Sequence, residues 1–162
     1  MSKQFSKISV VGLGYVGLPL SLQFAGSGVS VLGLDLDLSK VDAINSGKSY
    51  LKHFSSESIA EQVIAGRREA TTDPARISEV EAILICVPTP LNDYREPDLS
   101  FVLDTARSLA PHLSKGVLVT LESTTYPGTT EDELRLILEE GSCMKAGTDF
   151  HLAYSPERED PG

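Results

Sequence analysis

Short apolar runs alternate with longer stretches of helical periodicity along this chain of 162 residues. The runs lie at residues 8–12, 30–35, 70–72, 81–87, 116–121 and 150–154. Helical patterns lie between them, from about 15 to 26 or 28, from 39 to at least 44, and at 56–65, 99–113 and 129–140, with Ser56 and Asp98 as candidate N-caps. A run that is apolar at consecutive positions, as 81–87 is after its first residue, indicates a strand buried on both faces. The alternation therefore predicts an α/β fold, in which helices cover a parallel sheet.

Gly12, Gly14 and Gly17 form the pattern GxGxxG between the first predicted strand and the first predicted helix. In that context Gly12 permits a tight turn, Gly14 lets the backbone approach a diphosphate, and Gly17 lets helix and strand pack closely. The N–H groups at the helix start, where Tyr15 and Val16 lie, then face the phosphates with the positive end of the helix dipole. The motif predicts a Rossmann-type doubly wound parallel sheet of about six strands, in the order 3-2-1-4-5-6, that binds a dinucleotide.

Asp35 ends the second predicted strand, 18 positions after Gly17. An acidic residue about 20 residues after the glycine motif accepts hydrogen bonds from the adenosine ribose. Its charge repels a 2′-phosphate, so we expect NAD rather than NADP. Asp37 takes this role if the strand is longer, and Lys40 is a cation that tolerates a phosphate. The alternative interpretation of Asp37 as a helix cap and of Lys40 as a solvated first-turn residue stays open.

Three further segments follow strands at the edge where parallel sheets bind ligands. Residues 86–90 form a proline-stiffened turn that lies along the dinucleotide or makes no contact with it. Residues 122–128 contain three consecutive hydroxyls that bind the nicotinamide, a ribose or a reacting hydroxyl, or that cap the next helix. Residues 154–159 are a charged, solvated tail unless they lie beside the other segments, in which case Glu157 is a candidate for proton transfer or for positioning a water.

The formal net charge of −9 argues against nucleic acid or an anionic membrane surface as a partner, because both require clustered Lys and Arg. The first residues lack the pattern of a signal peptide, and no apolar stretch approaches the roughly 20 residues of a membrane span. A cytoplasmic protein is therefore expected. Cys86 and Cys143 have no neighbouring cysteine, and the three histidines lack ligand spacing, so no metal site is predicted. Cys86 is expected to be a small buried apolar residue.

With these segments in this order, the chain resembles the UDP-glucose/GDP-mannose dehydrogenase family over essentially its whole length. The residues that carry the resemblance are 11–19, 86–90, 123–130 and 154–158. Within the family, residues 47–50 and 89–100 are most similar to the UDP-N-acetylglucosamine 6-dehydrogenase branch. A short-chain or 2-hydroxyacid dehydrogenase is disfavoured, since neither is expected to carry the Ser-Pro-Glu-Arg segment.

The resemblance implies an enzyme that oxidises the C6 alcohol of a nucleotide sugar to a carboxylate. Two NAD-dependent hydride transfers proceed through a thiohemiacetal and a thioester on a cysteine. The resemblance also implies that Asp35 and Lys40 bind the adenosine ribose. The cofactor loop corresponds to Val87, Pro88 and Thr89.

For the chemistry, the resemblance implies that Thr124 contacts the cofactor, that Thr125 relays a proton, and that Glu157 assists thioester hydrolysis. The catalytic cysteine, its companion lysine and asparagine, and the central helix that mediates dimers belong to a later part that residues 1–162 lack. We therefore expect residues 1–162 to be a truncated NAD-binding domain that binds NAD without turnover. The full-length protein is expected to be a homo-oligomer that holds a UDP-sugar mainly through the missing domain. The alternatives are a UDP-glucose or GDP-mannose 6-dehydrogenase, and a dinucleotide-sensing module without catalysis.

Overall fold

The structure is a computed structural model that describes residues 4–123 and 129–155. Its strands are β1 (Lys7–Val11), β2 (Ser30–Leu34), β3 (Arg68–Thr71), β4 (Ala82–Ile85), β5 (Leu118–Leu121) and β6 (His151–Tyr154). They form one parallel sheet in the order β3-β2-β1-β4-β5-β6, which confirms the predicted Rossmann-type doubly wound order. The carboxyl ends of β1, β2, β4 and β5 therefore lie together at one edge of the sheet.

Within the described ranges, five α-helices connect the strands. They are α1 (Gly17–Gly26), α2 (Leu38–Asn45), α3 (Ser56–Ile64), α4 (Ser100–Leu109) and α5 (Arg135–Ser142). Two 3-10 turns, Pro74–Glu79 and Ala110–His112, and a π-helical turn, Thr129–Leu134, complete the described helical segments. No helix within the described ranges is long and apolar enough to cross a membrane.

Three predicted helices have different bounds in the structure. The one at 129–140 is a π-helical turn up to Leu134 and an α-helix from Arg135 to Ser142. The first begins at Gly17 rather than near Tyr15, because residues 14–16 form the turn that leads into it. The predicted helix at 99–113 is α-helical only to Leu109 and continues as a 3-10 turn. Pro111 explains that change, since its ring cannot donate the α-helical hydrogen bond and crowds the preceding turn.

The N-caps of α3 and α4 also differ from the prediction. Ser55 rather than Ser56 caps α3, because Ser55 has the extended backbone of a cap and its hydroxyl accepts a hydrogen bond from the N–H of Ser58. Asp98 lies one residue before the N-cap position of α4. Its carboxylate still accepts a hydrogen bond of 2.9 Å from the N–H of Ser100, so it satisfies one donor of the first turn.

Helices cover both faces of the sheet, and side chains alternate between the two faces along each strand. On one face α1, α2 and α3 pack over a buried cluster that includes Ile8, Val10, Leu18, Ile44 and Ile59. On the other face α4 and α5 pack over a cluster that includes Ile83, Ile85, Val102, Leu109 and Leu138. All four residues of β4 are buried, as predicted for a central strand.

A side chain forms hydrogen bonds with backbone groups on the outer edge of β3. Asn45 at the end of α2 donates its amide to the carbonyl oxygen of Ala70 and accepts from the Ala70 N–H, both at 2.9 Å. Because an edge strand otherwise exposes such groups to other chains, this pairing closes part of the edge.

Candidate active site

Three glycines between β1 and α1 differ in what the fold demands of them. Gly12 has φ +91°, and an added Cβ would lie 2.8 Å from the carbonyl oxygen of Cys86. At Gly17 an added Cβ would lie 1.7 Å from the carbonyl oxygen of Gly12. At Gly14 an added Cβ would meet no heavy atom within 4 Å. The fold therefore requires glycine at 12 and 17, whereas the missing side chain of Gly14 leaves open space beside the turn.

The turn also leaves backbone donors unpaired. No hydrogen bond between described residues involves the N–H groups of Gly14, Tyr15 or Val16. These groups lie at the start of α1, whose dipole is positive at that end. Such a set of donors binds an anion such as a diphosphate without help from a basic side chain.

Asp35 follows β2 and is held against the glycine turn. Its Oδ2 atom accepts a hydrogen bond of 2.8 Å from the N–H of Leu13, and its Oδ1 atom accepts one of 2.9 Å from the N–H of Asp37. No ion pair between described residues involves Asp35. A carboxylate has about four lone-pair sites, so two of them are left for the hydroxyls of a ligand.

The structure assigns Asp37 to the cap of α2. Its carboxylate accepts hydrogen bonds from the N–H and the hydroxyl of Ser39. These bonds, the one from the hydroxyl above all, hold the pKa of Asp37 below its usual value. Lys40, in the first turn of the same helix, places its Nζ 5.8 Å from the centroid of the Tyr50 ring.

The turn, Asp35 and the segment after β4 line one crevice of about 750 Å³, a volume typical of small-molecule sites. The predicted cofactor-binding residues that line it are Gly12, Gly14, Tyr15, Val16, Asp35, Lys40, Val87, Pro88 and Thr89. Gly17 does not line the crevice and is buried at the start of α1. Thr124, Thr125 and Glu157 lie outside the described residues.

Further residues of the crevice are not among those predicted from the sequence. Leu36, which follows Asp35, is 89% exposed, and Phe101 on α4 is 47% exposed. Thr72 and Thr105 also line the crevice. Leu36 could have been predicted as a crevice residue, because it is an apolar residue between two aspartates at the end of the second predicted strand. Phe101 and Thr105, in contrast, occupy ordinary positions of an amphipathic helix, so only the packing of α4 brings them to the crevice.

A buried hydroxyl joins the segments that follow β4 and β5. Ser123 is 6% exposed, and its Oγ donates a hydrogen bond of 2.6 Å to the carbonyl oxygen of Val87. The N–H of Glu122 donates to the carbonyl oxygen of Ile85 at 2.9 Å. Of the three consecutive hydroxyls in 122–128, the first is therefore engaged in holding the crevice together.

The two cysteines lie apart. Cys86 is buried in the core at the end of β4, in agreement with the prediction, and Cys143 is exposed at the left-handed end of α5. The described residues contain no group of three His, Cys, Asp or Glu side chains that could hold a metal ion.

The sheet order, the glycine turn and the carboxylate after β2 together define a dinucleotide-binding domain of the Rossmann class. The model of the UDP-glucose/GDP-mannose dehydrogenase family's NAD binding domain matches residues 6–162. The chain belongs to this family, as its NAD-binding domain.

Curated relatives support this assignment. The chain is 37% identical to the UDP-N-acetyl-D-glucosamine 6-dehydrogenase of Salmonella typhi, over 96% of this chain and 36% of the relative. It is 40% identical to the UDP-N-acetyl-D-mannosamine dehydrogenase of Escherichia coli K12, over 98% of this chain and 39% of the relative. The chain thus spans less than two fifths of the length of these relatives.

Solved structures of the family share the fold. The NDP-N-acetyl-D-galactosaminuronic acid dehydrogenase of Methanosarcina mazei superposes with a TM-score of 0.89 at 41% identity, over 96% of this chain and 35% of that one. The GDP-mannose dehydrogenase of Pseudomonas aeruginosa superposes with a TM-score of 0.89 at 30% identity, over 93% of this chain and 36% of that one.

Proposed function

We propose that residues 1–162 are the NAD-binding domain of a nucleotide-sugar 6-dehydrogenase, joined to a central helix and a sugar-binding domain beyond residue 162. The observation that carries the proposal is the Asp35 carboxylate bonded to the Leu13 N–H inside the glycine turn. One crevice therefore combines acceptors for a ribose with donors for a diphosphate.

The residues present fit NAD. The open space at Gly14 would admit a diphosphate, and the unpaired N–H groups of Gly14, Tyr15 and Val16 would bind it. The free lone pairs of Asp35 would accept hydrogen bonds from the hydroxyls of the adenosine ribose, and Lys40 lines the same crevice. The exposed apolar side chains of Leu36 and Phe101 would hold the adenine, and Val87, Pro88 and Thr89 would hold the nicotinamide half. When bound, NAD accepts the hydride that leaves C6 of the sugar.

The roles nearest the reaction are proposed from the family's matching segments, residues 123–130 and 154–158. Thr124 contacts the cofactor, Thr125 relays a proton from the reacting hydroxyl, and Glu157 positions the water that hydrolyses the thioester. The nucleophilic cysteine lies in the part beyond residue 162, so residues 1–162 bind NAD and do not turn over sugar.

The proposed substrate is UDP-N-acetylglucosamine. The motif at 47–50 and the relative from Salmonella typhi favour it. The relative from Escherichia coli acts on the mannosamine sugar, which differs in configuration at C2. A UDP-glucose or GDP-mannose 6-dehydrogenase is the alternative. We further propose that the full-length protein is a homo-oligomer, and its cytoplasmic location stays a prediction.

The full-length protein, incubated with NAD and a panel of UDP-N-acetylglucosamine, UDP-N-acetylmannosamine, UDP-glucose and GDP-mannose, tests this function. Absorbance of the reduced cofactor should rise, with two equivalents formed for each uronate. Residues 1–162 alone should give none with any sugar. Sustained turnover by residues 1–162 contradicts the assignment of the nucleophile to a later domain. NAD binding without turnover by the full-length protein supports a dinucleotide-sensing module instead.

A further inference from the structure

Tyr50 contacts the glycine turn from the segment that joins α2 to α3. Its phenol Oη donates a hydrogen bond to the carbonyl oxygen of Leu13. The ring packs against the core on the α1, α2 and α3 side of the sheet, and Lys40 lies over it with its Nζ 5.8 Å from the ring centroid. Tyr50 belongs to the motif at 47–50, for which the proposed function assigns no task in the site.

Both backbone polar groups of Leu13 form hydrogen bonds with side chains. Its N–H donates to Asp35 at 2.8 Å, and its carbonyl oxygen accepts from Tyr50. Its side chain is fully buried and lies against Gly33, where an added Cβ would be 2.9 Å from the Leu13 Cδ1 atom. These contacts restrain the two peptide groups that flank the Leu13 Cα atom.

We propose that Tyr50 is a positioning residue for the diphosphate of the dinucleotide. A peptide group is planar, with its C=O and its N–H on opposite sides. By holding the Leu13 carbonyl, the Tyr50 hydroxyl directs the N–H of Gly14 the opposite way. That N–H has no partner among the described residues, and the side of Gly14 where a Cβ would lie is open. The Tyr50 hydroxyl thus orients a phosphate donor without touching the ligand.

The surroundings of Tyr50 keep its hydroxyl in the donating form. Burial raises the pKa of Tyr50 far above its ordinary value, so the phenol stays protonated at neutral and alkaline pH. Arg68 is 3% exposed, and its guanidinium has no hydrogen-bond partner among the described residues. Its charge partly opposes the effect of burial on the pKa of Tyr50, which nevertheless stays raised.

This inference rests on the proposed binding of the diphosphate at the glycine turn. It predicts different effects on different ligands, because Tyr50 acts on the diphosphate whereas Asp35 acts on the ribose. Removal of the Tyr50 hydroxyl must weaken ligands that carry a diphosphate and leave adenosine unaffected. A role in general packing would weaken both ligands equally.

The test compares wild type, Tyr50→Phe and the control Tyr94→Phe, whose tyrosine is 85% exposed. Calorimetry measures the Kd of NAD and ADP, and an NMR titration measures that of adenosine. We expect Tyr50→Phe to raise the Kd of NAD and ADP about five- to tenfold, because a misdirected Gly14 N–H loses about one hydrogen bond to the diphosphate, and to change that of adenosine less than about twofold. Tyr94→Phe should match wild type. Equal weakening of ADP and adenosine, or no change in either, overturns the proposal.

A measurement on the wild-type chain keeps the proposal open to refutation even if Tyr50→Phe does not fold. Addition of ADP, but not of adenosine, must shift the amide resonance of Gly14, and a Gly14 amide that does not respond to ADP overturns the proposal. If the wild-type chain binds ADP no more tightly than adenosine, the diphosphate site itself fails, and with it the proposed function. If it prefers ADP and Tyr50→Phe retains that preference in full, only the role of Tyr50 is wrong.

Discussion

The Oδ2 atom of Asp35 lies 2.8 Å from the backbone nitrogen of Leu13 and accepts its hydrogen bond. This contact joins the end of β2 to the turn after β1, two segments that neighbouring parallel strands bring side by side. It holds the carboxylate against the glycine turn, where Asp35 lines the crevice and is only partly buried. The turn and the carboxylate therefore form one preorganised site, in which few groups must be ordered when a dinucleotide binds.

The three glycines of the turn should respond differently to alanine. At Gly14 an added Cβ meets no protein atom, so Gly14→Ala should change the free energy of unfolding by less than about 1 kcal/mol. The methyl group occupies the space proposed for the diphosphate, so the Kd of NAD should rise more than about tenfold.

Gly17→Ala provides the matched comparison. Its Cβ would lie 1.7 Å from the carbonyl oxygen of Gly12, so helix and strand must separate. The free energy of unfolding should fall by at least about 3 kcal/mol. Urea denaturation and NAD titration of both variants check these expectations. Unimpaired NAD binding by Gly14→Ala would exclude the diphosphate from this space.

Ser123→Ala removes the hydroxyl that joins the segments after β4 and β5. The carbonyl of Val87 loses a hydrogen bond of 2.6 Å in a buried setting. The free energy of unfolding should fall by about 1–2 kcal/mol. The control is Ser27→Ala, whose exposed hydroxyl bonds only within the end of α1. Equal urea midpoints for the two variants would show that the Ser123 bond contributes nothing to stability.

Arg76 should influence how steeply the free energy of unfolding falls as the pH is lowered into the acid range. This side chain bonds Glu69 on β3 and Glu79 in the following 3-10 turn, and these bonds lower the pKa of both carboxyls. A carboxyl whose pKa is lowered in the folded state stabilises the fold above its unfolded pKa, near 4.5 for Glu, and loses that contribution as pH falls.

Urea midpoints measured between pH 6 and 3 should therefore fall less steeply for Arg76→Gln than for wild type, and high salt should reduce the difference. Arg107→Gln, which removes the exposed pair of Arg107 with Asp104, serves as the control. A slope in Arg76→Gln equal to that of wild type would contradict the prediction.

Much of the fold could be predicted because its signals are local. Apolar runs indicate the strands, and the glycine motif identifies the turn between the first strand and the first helix. The errors also have local causes. Pro111 ends the α-helical part of 99–113 early, and neighbouring serines at 55 and 56 compete for one cap. Only the backbone conformation, extended at Ser55, decides between them.

The candidate site could be predicted where one segment supplies its residues, as in the glycine turn and after β4. It could not be predicted where distant segments meet. Phe101 reaches the crevice only because α4 packs across the sheet, and Tyr50 bonds Leu13 across 37 positions of sequence. No periodicity encodes such contacts. They arise from the packing of whole helices and loops.

The central claim is that the Asp35 carboxylate binds the adenosine ribose and thereby favours NAD over NADP. Calorimetric titration of NAD and NADP, side by side, on wild type and Asp35→Asn tests it most directly, with Asp93→Asn in an exposed loop as control. Wild type and the control should bind NAD at least about tenfold more tightly than NADP, because a charged hydrogen bond is lost and a phosphate repelled in the NADP complex. Asp35→Asn should weaken NAD and abolish the preference. Equal binding of both cofactors by wild type, or an unchanged preference in Asp35→Asn, would contradict the claim.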